Sequence, residues 1–152
     1  MDVTVTGAND LAQVAGAINR LVPELRKEYL GAIRKVSKPL ATATQEAAKS
    51  MLPHGGGLNE FVADSKIAVR TRTSGQMVGV RIVTTKPNHD LEALDAGNVR
   101  HPVFGNRKVW VLGQVRPGFF TETIRDRAPQ VQAALVDVME TFLKRIKQES
   151  HT

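Results

Sequence analysis

Apolar residues recur at helical spacing in a long stretch near the start of the chain. Steps of three or four residues separate its apolar positions, which are Val22, Leu25, Tyr29, Ile33, Val36, Leu40, Ala43, Ala47 and Met51. Such a stripe predicts one long amphipathic helix, and Pro23 is well suited to its first turn. Pro39 predicts a kink near residues 35–39, because proline lacks a backbone N–H and clashes with the carbonyl four residues earlier.

A second helical stripe lies near the end of the chain. Its apolar positions are Val131, Leu135, Val138, Phe142 and Ile146. They predict an amphipathic C-terminal helix. Thr121 is predicted to cap this helical region, and Pro129 to begin or kink its main part.

Between the helices the pattern changes to strict alternation. Residues 66–72 and 77–84 alternate apolar and polar side chains around a short loop that contains Gly75, which predicts an antiparallel hairpin. Arg70, Arg72 and Arg81 then lie on the face opposite the apolar one. Residues 3–6 predict a further short strand, and residues 11–18 a short helix.

Leu91–Phe120 is unlike an ordinary surface loop, since it holds the only Trp and three of the five Phe. Residues 90–96 predict a helical turn that Gly97 closes, and Arg107–Val115 predicts a third main strand. The rest of residues 97–120 predicts a long structured loop. This segment either completes the core or forms a surface on which neighbouring subunits dock.

The order of these elements predicts an α+β fold, because strands grouped between helices do not favour a doubly wound sheet. We expect a long kinked N-terminal helix and an amphipathic C-terminal helix packed on a small, mainly antiparallel β-sheet, with a long structured loop. The 152 residues predict a single domain, residues 1–152, with flexible ends at 1–7 and 148–152.

Composition and motif spacing argue against most kinds of catalytic or cofactor site. The absence of Cys excludes disulfides, thiolate metal sites and cysteine nucleophiles. The four His show no i, i+4 pair, and the run Gly55–Gly57 is not followed by a phosphate-binding lysine motif. We therefore expect no catalytic residue, no metal site and no cofactor. We also expect no membrane span, since no apolar run approaches ~20 residues.

The charge points toward an acidic neighbour. The formal net charge is +6 and the isoelectric point is about 10.0, which favours nucleic acid or an acidic protein surface. Strands 66–72 and 77–84 carry no aromatic side chain on which bases could stack. Any contact with DNA is therefore expected to be sequence-independent attraction between basic side chains and phosphate.

Three segments in order carry a resemblance to a known family. They are LPHGGGLNEFVA, then VGVRIV in the basic hairpin, then LDAGNVRHPVFGNRKVWVLGQVRPGFF before the C-terminal helix. Together the segments resemble tailed-bacteriophage neck proteins, the minor head–tail joining or tail-completion proteins of long-tailed phages, particularly the form seen in actinobacteriophages. The resemblance covers residues 5–148 and is most specific over Leu94–Phe120. The family usually has a glutamate–x–glycine-like element where this chain has Leu94–Gly97.

The resemblance implies a non-enzymatic structural virion protein, made in the host cytoplasm and located in the neck. Such proteins form a ring, expected to be a hexamer, around the DNA channel. The expected partners are a head-side connector or stopper protein, a tail terminator or tail tube protein, and packaged DNA through non-specific contacts. Two alternatives remain open: a tail terminator ring protein, and a sequence-independent DNA-binding protein.

Two sets of residues are the candidate contacts. The first set is predicted to contact partners or shape the loop, and comprises Arg100, His101, Phe104, Asn106, Arg107 and Trp110. An alternative for Phe104 and Trp110 is a purely intrachain core role. Arg70, Arg72 and Arg81 form the second set, predicted to make electrostatic contacts.

Overall fold

The computed structural model describes residues 1–6, 20, 23–72, 79–87, 89–149 and 151. The elements in chain order are β1 (Asp2–Thr6), α1 (Pro23–Met51), a 3₁₀ turn (Gly55–Gly57), α2 (Leu58–Ala63), β2 (Lys66–Arg72), β3 (Gly79–Thr85), α3 (Leu91–Asp95), β4 (Asn98–Val103), β5 (Asn106–Gln114) and α4 (Thr121–Glu149). The predicted α+β class with long N- and C-terminal helices is confirmed. The predicted helix at 11–18 and the hairpin loop at 73–76 lie outside the described residues.

Helices α1 and α4 pack side by side and antiparallel. Near the start of α1, the Tyr29 ring meets the Phe142 ring edge-on at a centroid distance of 5.2 Å. Near its end, Glu46 and Ala47 share a groove with Asp126 in the first turns of α4. An ion pair between Glu28 and Arg145 links the exposed edges of the two helices.

The buried stripe of α1 agrees with the predicted one from Leu25 to Ala43, apart from Val36, and then departs from it, while Val22 lies outside the described residues. Val36, Ala47 and Met51 are only half-buried, while Ser37, Thr44 and Ala48 are buried. The two hydroxyls tolerate burial because Ser37 Oγ donates to the Ile33 carbonyl and Thr44 Oγ1 to the Leu40 carbonyl, both at 2.8 Å.

Both prolines lie inside helices. Pro39 and Pro129 are exposed, and neither ends its helix. The prediction that Pro129 begins the main C-terminal helix is wrong as to the start, since α4 already begins at Thr121. Kinks at the two prolines stay predictions.

The main sheet has the order β1-β3-β2, and both pairings are antiparallel. Its central strand buries Val80, Ile82 and Thr84. On the other face, Arg70 and Arg81 are exposed and lie directly opposite one another, as predicted. The side chain of Arg72 lies outside the described part of the chain.

The predicted strand at Arg107–Val115 is confirmed as β5, shifted by one residue, but it does not join the main sheet. The third strand of the main sheet is β1, whereas β5 pairs with β4 in a separate two-stranded sheet. The cause is local, because β4 and β5 are joined by only two residues and pair with each other directly.

One hydrophobic core joins the two long helices to α2, α3 and β3. Phe119 and Phe120 are 1% and 0% exposed and belong to this core. The C-terminal end of the aromatic segment therefore completes the core, which is one of the two roles considered for it.

Candidate functional site: an exposed two-stranded ribbon

Strands β4 and β5 and their turn, residues 98–114, form an antiparallel unit that we call the ribbon. Two backbone hydrogen bonds join the segments that flank its base, one between these segments and one to the end of α3. The Val115 N–H donates to the Gly97 carbonyl at 2.9 Å, and the Gly118 N–H donates to the Asp95 carbonyl at 2.8 Å. These hydrogen bonds fix the position from which the ribbon extends.

The carboxylate of Asp95 strengthens this base by capping α4. It accepts hydrogen bonds from the Phe120 N–H at 2.7 Å, from the Thr121 N–H at 3.3 Å and from the Thr121 hydroxyl at 2.7 Å. The prediction that the Thr121 side chain caps α4 is therefore corrected: Thr121 is the first helical residue, and a carboxylate from α3 satisfies the N–H groups at the helix start.

The turn of the ribbon is strained. Phe104 has φ of 48° and Gly105 has φ of 76°, so both lie in the left-handed region, as the two central residues of a type I′ turn do. Asn-Gly is the favoured pair in such a turn, because Asn tolerates this conformation better than Phe. Phe104 is the only non-glycine residue with positive φ in the described part of the chain.

The strained Phe104 gains no burial in return. Its relative exposure is 104%, so the ring makes no packing contact that offsets the conformational cost. Strain of this kind persists mainly at functional positions.

A register shift interrupts the strand pairing at the far end of the ribbon. Pro102 lies opposite Trp110, but Val103 lies opposite Asn106, so residues 107–109 have no partner on β4. Asn106 Oδ1 accepts from the Lys108 N–H at 3.0 Å, and Trp110 Nε1–H donates to the Arg107 carbonyl at 2.8 Å. Asn106 and Trp110 therefore shape this end through their own side chains.

Both faces of the ribbon expose apolar side chains. The register places Trp110 and Leu112 on one face, and Val111 on the other. Their exposures are 49%, 68% and 40%. A purely intrachain core role for Phe104 and Trp110 is therefore wrong. Since a two-stranded hairpin is marginal in water, uncovered apolar residues on both of its faces make the ribbon a candidate interaction surface.

All residues of the first predicted set, the partner-contact or loop-shaping residues, lie on the ribbon. Arg100, His101, Phe104, Asn106, Arg107 and Trp110 all lie on it and are all exposed. The arginines of the other set belong to the main sheet.

A groove between the ribbon, α2 and α3 was not predicted. It has a volume of about 590 Å³, and its apolar lining includes Phe61, Leu91, Leu94, Trp110 and Leu112. Phe61 is 38% exposed, and its ring carries the Lys86 ammonium at 4.2 Å from the centroid. The available signal was Phe61 itself, a large apolar residue on the exposed side of the short amphipathic helix α2.

The described part of the chain contains no group of three His, Cys, Asp or Glu side chains that could hold a metal ion. Within the same residues, no helix has both the length and the apolar character needed to cross a membrane. The chain matched no protein-family model, no curated protein and no solved structure.

Proposed function

We propose that this chain is a structural, non-enzymatic subunit of a tailed-phage neck, where it assembles into a ring between the head-side connector and the tail. The observation that carries the proposal is the ribbon, with apolar side chains uncovered on both faces and a fully exposed aromatic ring at its tip. Such a projection suits a subunit that another protein covers in its working state.

The shape of the molecule suits a closed ring. Head-to-tail rings need two different, complementary surfaces on each subunit. The ribbon supplies one projecting surface, and the body from which it extends supplies others. A hexamer is the stoichiometry that the resemblance to neck proteins favours.

The assignment to the phage neck rests on where the resemblance falls in the molecule. Its most specific part, Leu94–Phe120, comprises the last two residues of α3, the whole ribbon and the core residues Phe119 and Phe120. RHPVFGNR forms the ribbon's far end and its turn. The segment that most resembles neck proteins is therefore the segment that bears the exposed surface. A tail terminator ring is the neighbouring possibility, since it also assembles through subunit contacts.

The arginine face of the main sheet supports contact with phosphate. Arg70 and Arg81 lie directly opposite one another on β2 and β3, and both are exposed. Two exposed guanidinium groups side by side can contact a phosphate backbone. In a neck ring this phosphate belongs to the DNA in the channel. The same pair favours the second candidate function, a sequence-independent DNA-binding protein.

Two double variants separate the two functions. Trp110→Gln with Leu112→Gln makes the ribbon polar, while Arg70→Gln with Arg81→Gln removes charge from the sheet. The readouts are mass by light scattering, for the chain alone and mixed with tail tubes or DNA-filled heads, and binding to free duplex over a range of salt.

A neck protein forms a ring or joins the particles, and only the ribbon variant loses this property. The neck proposal fails if the unaltered chain stays monomeric and ignores both particles. Duplex binding that falls steeply with salt and is lost in the arginine variant would then establish the DNA-binding function.

A further inference from the structure

The ribbon tip and the groove at the ribbon base form a complementary pair within one chain. We propose that Phe104 of one copy inserts into the groove of a second copy, between α2, α3 and the near half of the ribbon. This inference rests on the proposed ring and names the contact that joins its subunits.

Phe104 does not reach the groove of its own chain. The ribbon wall of the groove extends to Trp110, which pairs with Pro102. Strands rise ~3.4 Å per residue, so Phe104 lies about 7 Å beyond Pro102, away from the base, and its ring is fully exposed. A tip that projects away from its own groove is placed to meet the groove of another molecule.

The groove suits an aromatic ring. Its volume of about 590 Å³ falls within the range of pockets that bury small organic groups, and Phe61 and Trp110 lie in its lining. The indole N–H of Trp110 already donates to the Arg107 carbonyl. The Trp110 ring therefore offers apolar surface without an unsatisfied donor, and aromatic rings pack favourably edge to face or offset.

Charge complements this contact. Beside Phe104 the ribbon exposes Arg107 and Lys108, for which no ion pair occurs among the described residues. At the start of α3, the groove lining includes the exposed carboxylate of Asp90. Arg100 is the basic residue on the opposite wall. A tip that approaches along α3 brings opposite charges together, which favours one orientation of docking.

The positions of the tip and the groove determine the symmetry of the assembly. Tip and groove are different surfaces at opposite ends of the ribbon, so the contact is heterologous. Repetition of a heterologous contact gives a closed ring when the rotation closes. Each ribbon then lies across the base of the next one. Docking buries the Phe104 ring, which is fully exposed in the isolated chain.

Directed cross-linking tests the contact, because the chain has no Cys of its own. A full-length Val103→Cys chain, which keeps the Phe104 ring, is mixed with an Ala93→Cys chain, whose thiol is in the groove lining, and is oxidised with diamide. The matched control partner is Ala41→Cys, since Ala41 is equally half-buried but lies on α1 away from the groove.

The proposal predicts that the 103–93 mixed disulfide forms at least about tenfold faster than the 103–41 disulfide, because docking raises the effective thiol concentration. Adding Arg107→Glu to the tip chain slows the reaction, whereas the charge-conserving Arg107→Lys leaves it unchanged. Equal rates at positions 93 and 41, or no response to the charge reversal, would overturn the contact.

Cross-linking tests the tip-in-groove contact, and light scattering tests ring formation, so the two proposals can fail independently. A ring by light scattering without preferential 103–93 cross-linking refutes the tip-in-groove contact and leaves the neck proposal in place. Preferential cross-linking in a chain that neither forms a ring nor joins tails or heads supports the contact and refutes the neck function.

Discussion

The two hairpins of this molecule are built from similar alternating sequences and have opposite environments. In β2–β3, one face buries Val80 and Ile82 against the helices and the other face carries arginines. In β4–β5, neither face is fully covered, and Trp110, Val111 and Leu112 remain exposed. Alternation therefore identifies a strand but does not reveal what covers it. The first hairpin is part of the fold, and the second is a surface that the fold presents.

The largest contrast is expected between two aromatic truncations. Phe120→Ala removes a fully buried ring and should lower the free energy of unfolding by about 3–5 kcal/mol. Trp110→Ala removes a half-exposed ring and should lower it by no more than about 1 kcal/mol. Urea unfolding followed by far-UV circular dichroism measures both. Equal losses would mean that the ribbon is part of the core.

A smaller effect is expected at the junction between ribbon and body. Asp95→Ala leaves two N–H groups and one hydroxyl without their acceptor, and should cost about 1–3 kcal/mol in unfolding free energy. Asp95→Asn is the matched control, because its amide oxygen still accepts one of these bonds. Unfolding midpoints should rank native, then Asn, then Ala. An unchanged midpoint in the Ala variant would show that the cap does not matter.

The next effect concerns the helix pair and depends on pH. The Tyr29 hydroxyl is buried and has no hydrogen-bond partner in the described part of the chain, and burial raises the pKa of its phenol. Tyr29→Phe should raise stability by about 1 kcal/mol at neutral pH, because an unsatisfied polar group is removed.

The pH dependence of that variant has a definite sign. A raised pKa in the folded state means that the Tyr29 contribution is intact below the unfolded pKa and is lost as pH rises above about 10. The advantage of Tyr29→Phe should therefore grow between pH 8 and pH 11. Tyr29 is the only tyrosine, so its absorbance reports the titration directly. A constant advantage across this range would contradict the assignment.

The smallest stability effect is expected at the ribbon tip. Phe104→Asn places a residue that tolerates positive φ in the strained turn, and no buried contact is lost. Stability should stay unchanged or rise by up to about 1 kcal/mol, as thermal unfolding would show. A clear loss of stability would mean that the Phe104 ring packs within its own chain.

Sequence periodicity predicts the parts of this fold in which one side of an element is buried. The stripe from Leu25 to Leu40 and the alternation in Lys66–Arg72 correspond to α1 and β2, because burial on one face imposes the repeat of the element. The capped turn between Asp90 and Gly97 is likewise predicted from local chemistry.

Strand β4 was not predicted, and Pro102 is the physical reason. Proline inside an apolar run argues against a central strand, since it removes a ladder hydrogen bond. In a two-stranded ribbon every strand is an edge, and Pro102 sits beside the register shift, where its missing N–H is tolerated. The turn between β4 and β5 was not predicted either, because phenylalanine is not the residue expected at a turn position with positive φ.

The sequence also does not predict which aromatic residues are buried, or that the groove exists. Phe119 and Phe120 are buried while Phe104 and Trp110 are exposed, although all four lie in one short segment. The groove combines Phe61, Leu94 and Trp110, which are far apart in the chain. Only tertiary contacts decide which rings meet and which remain uncovered.

The central claim is that the ribbon exists for assembly and not for folding, and a comparison of masses tests it most directly. Native chain and Phe104→Asn are measured side by side by light scattering, alone and after mixing with tail tubes or DNA-filled heads. The account predicts that the native chain forms a ring or joins the particles, while the equally stable Phe104→Asn chain stays monomeric. Identical assembly by both chains, or assembly by neither, would contradict it.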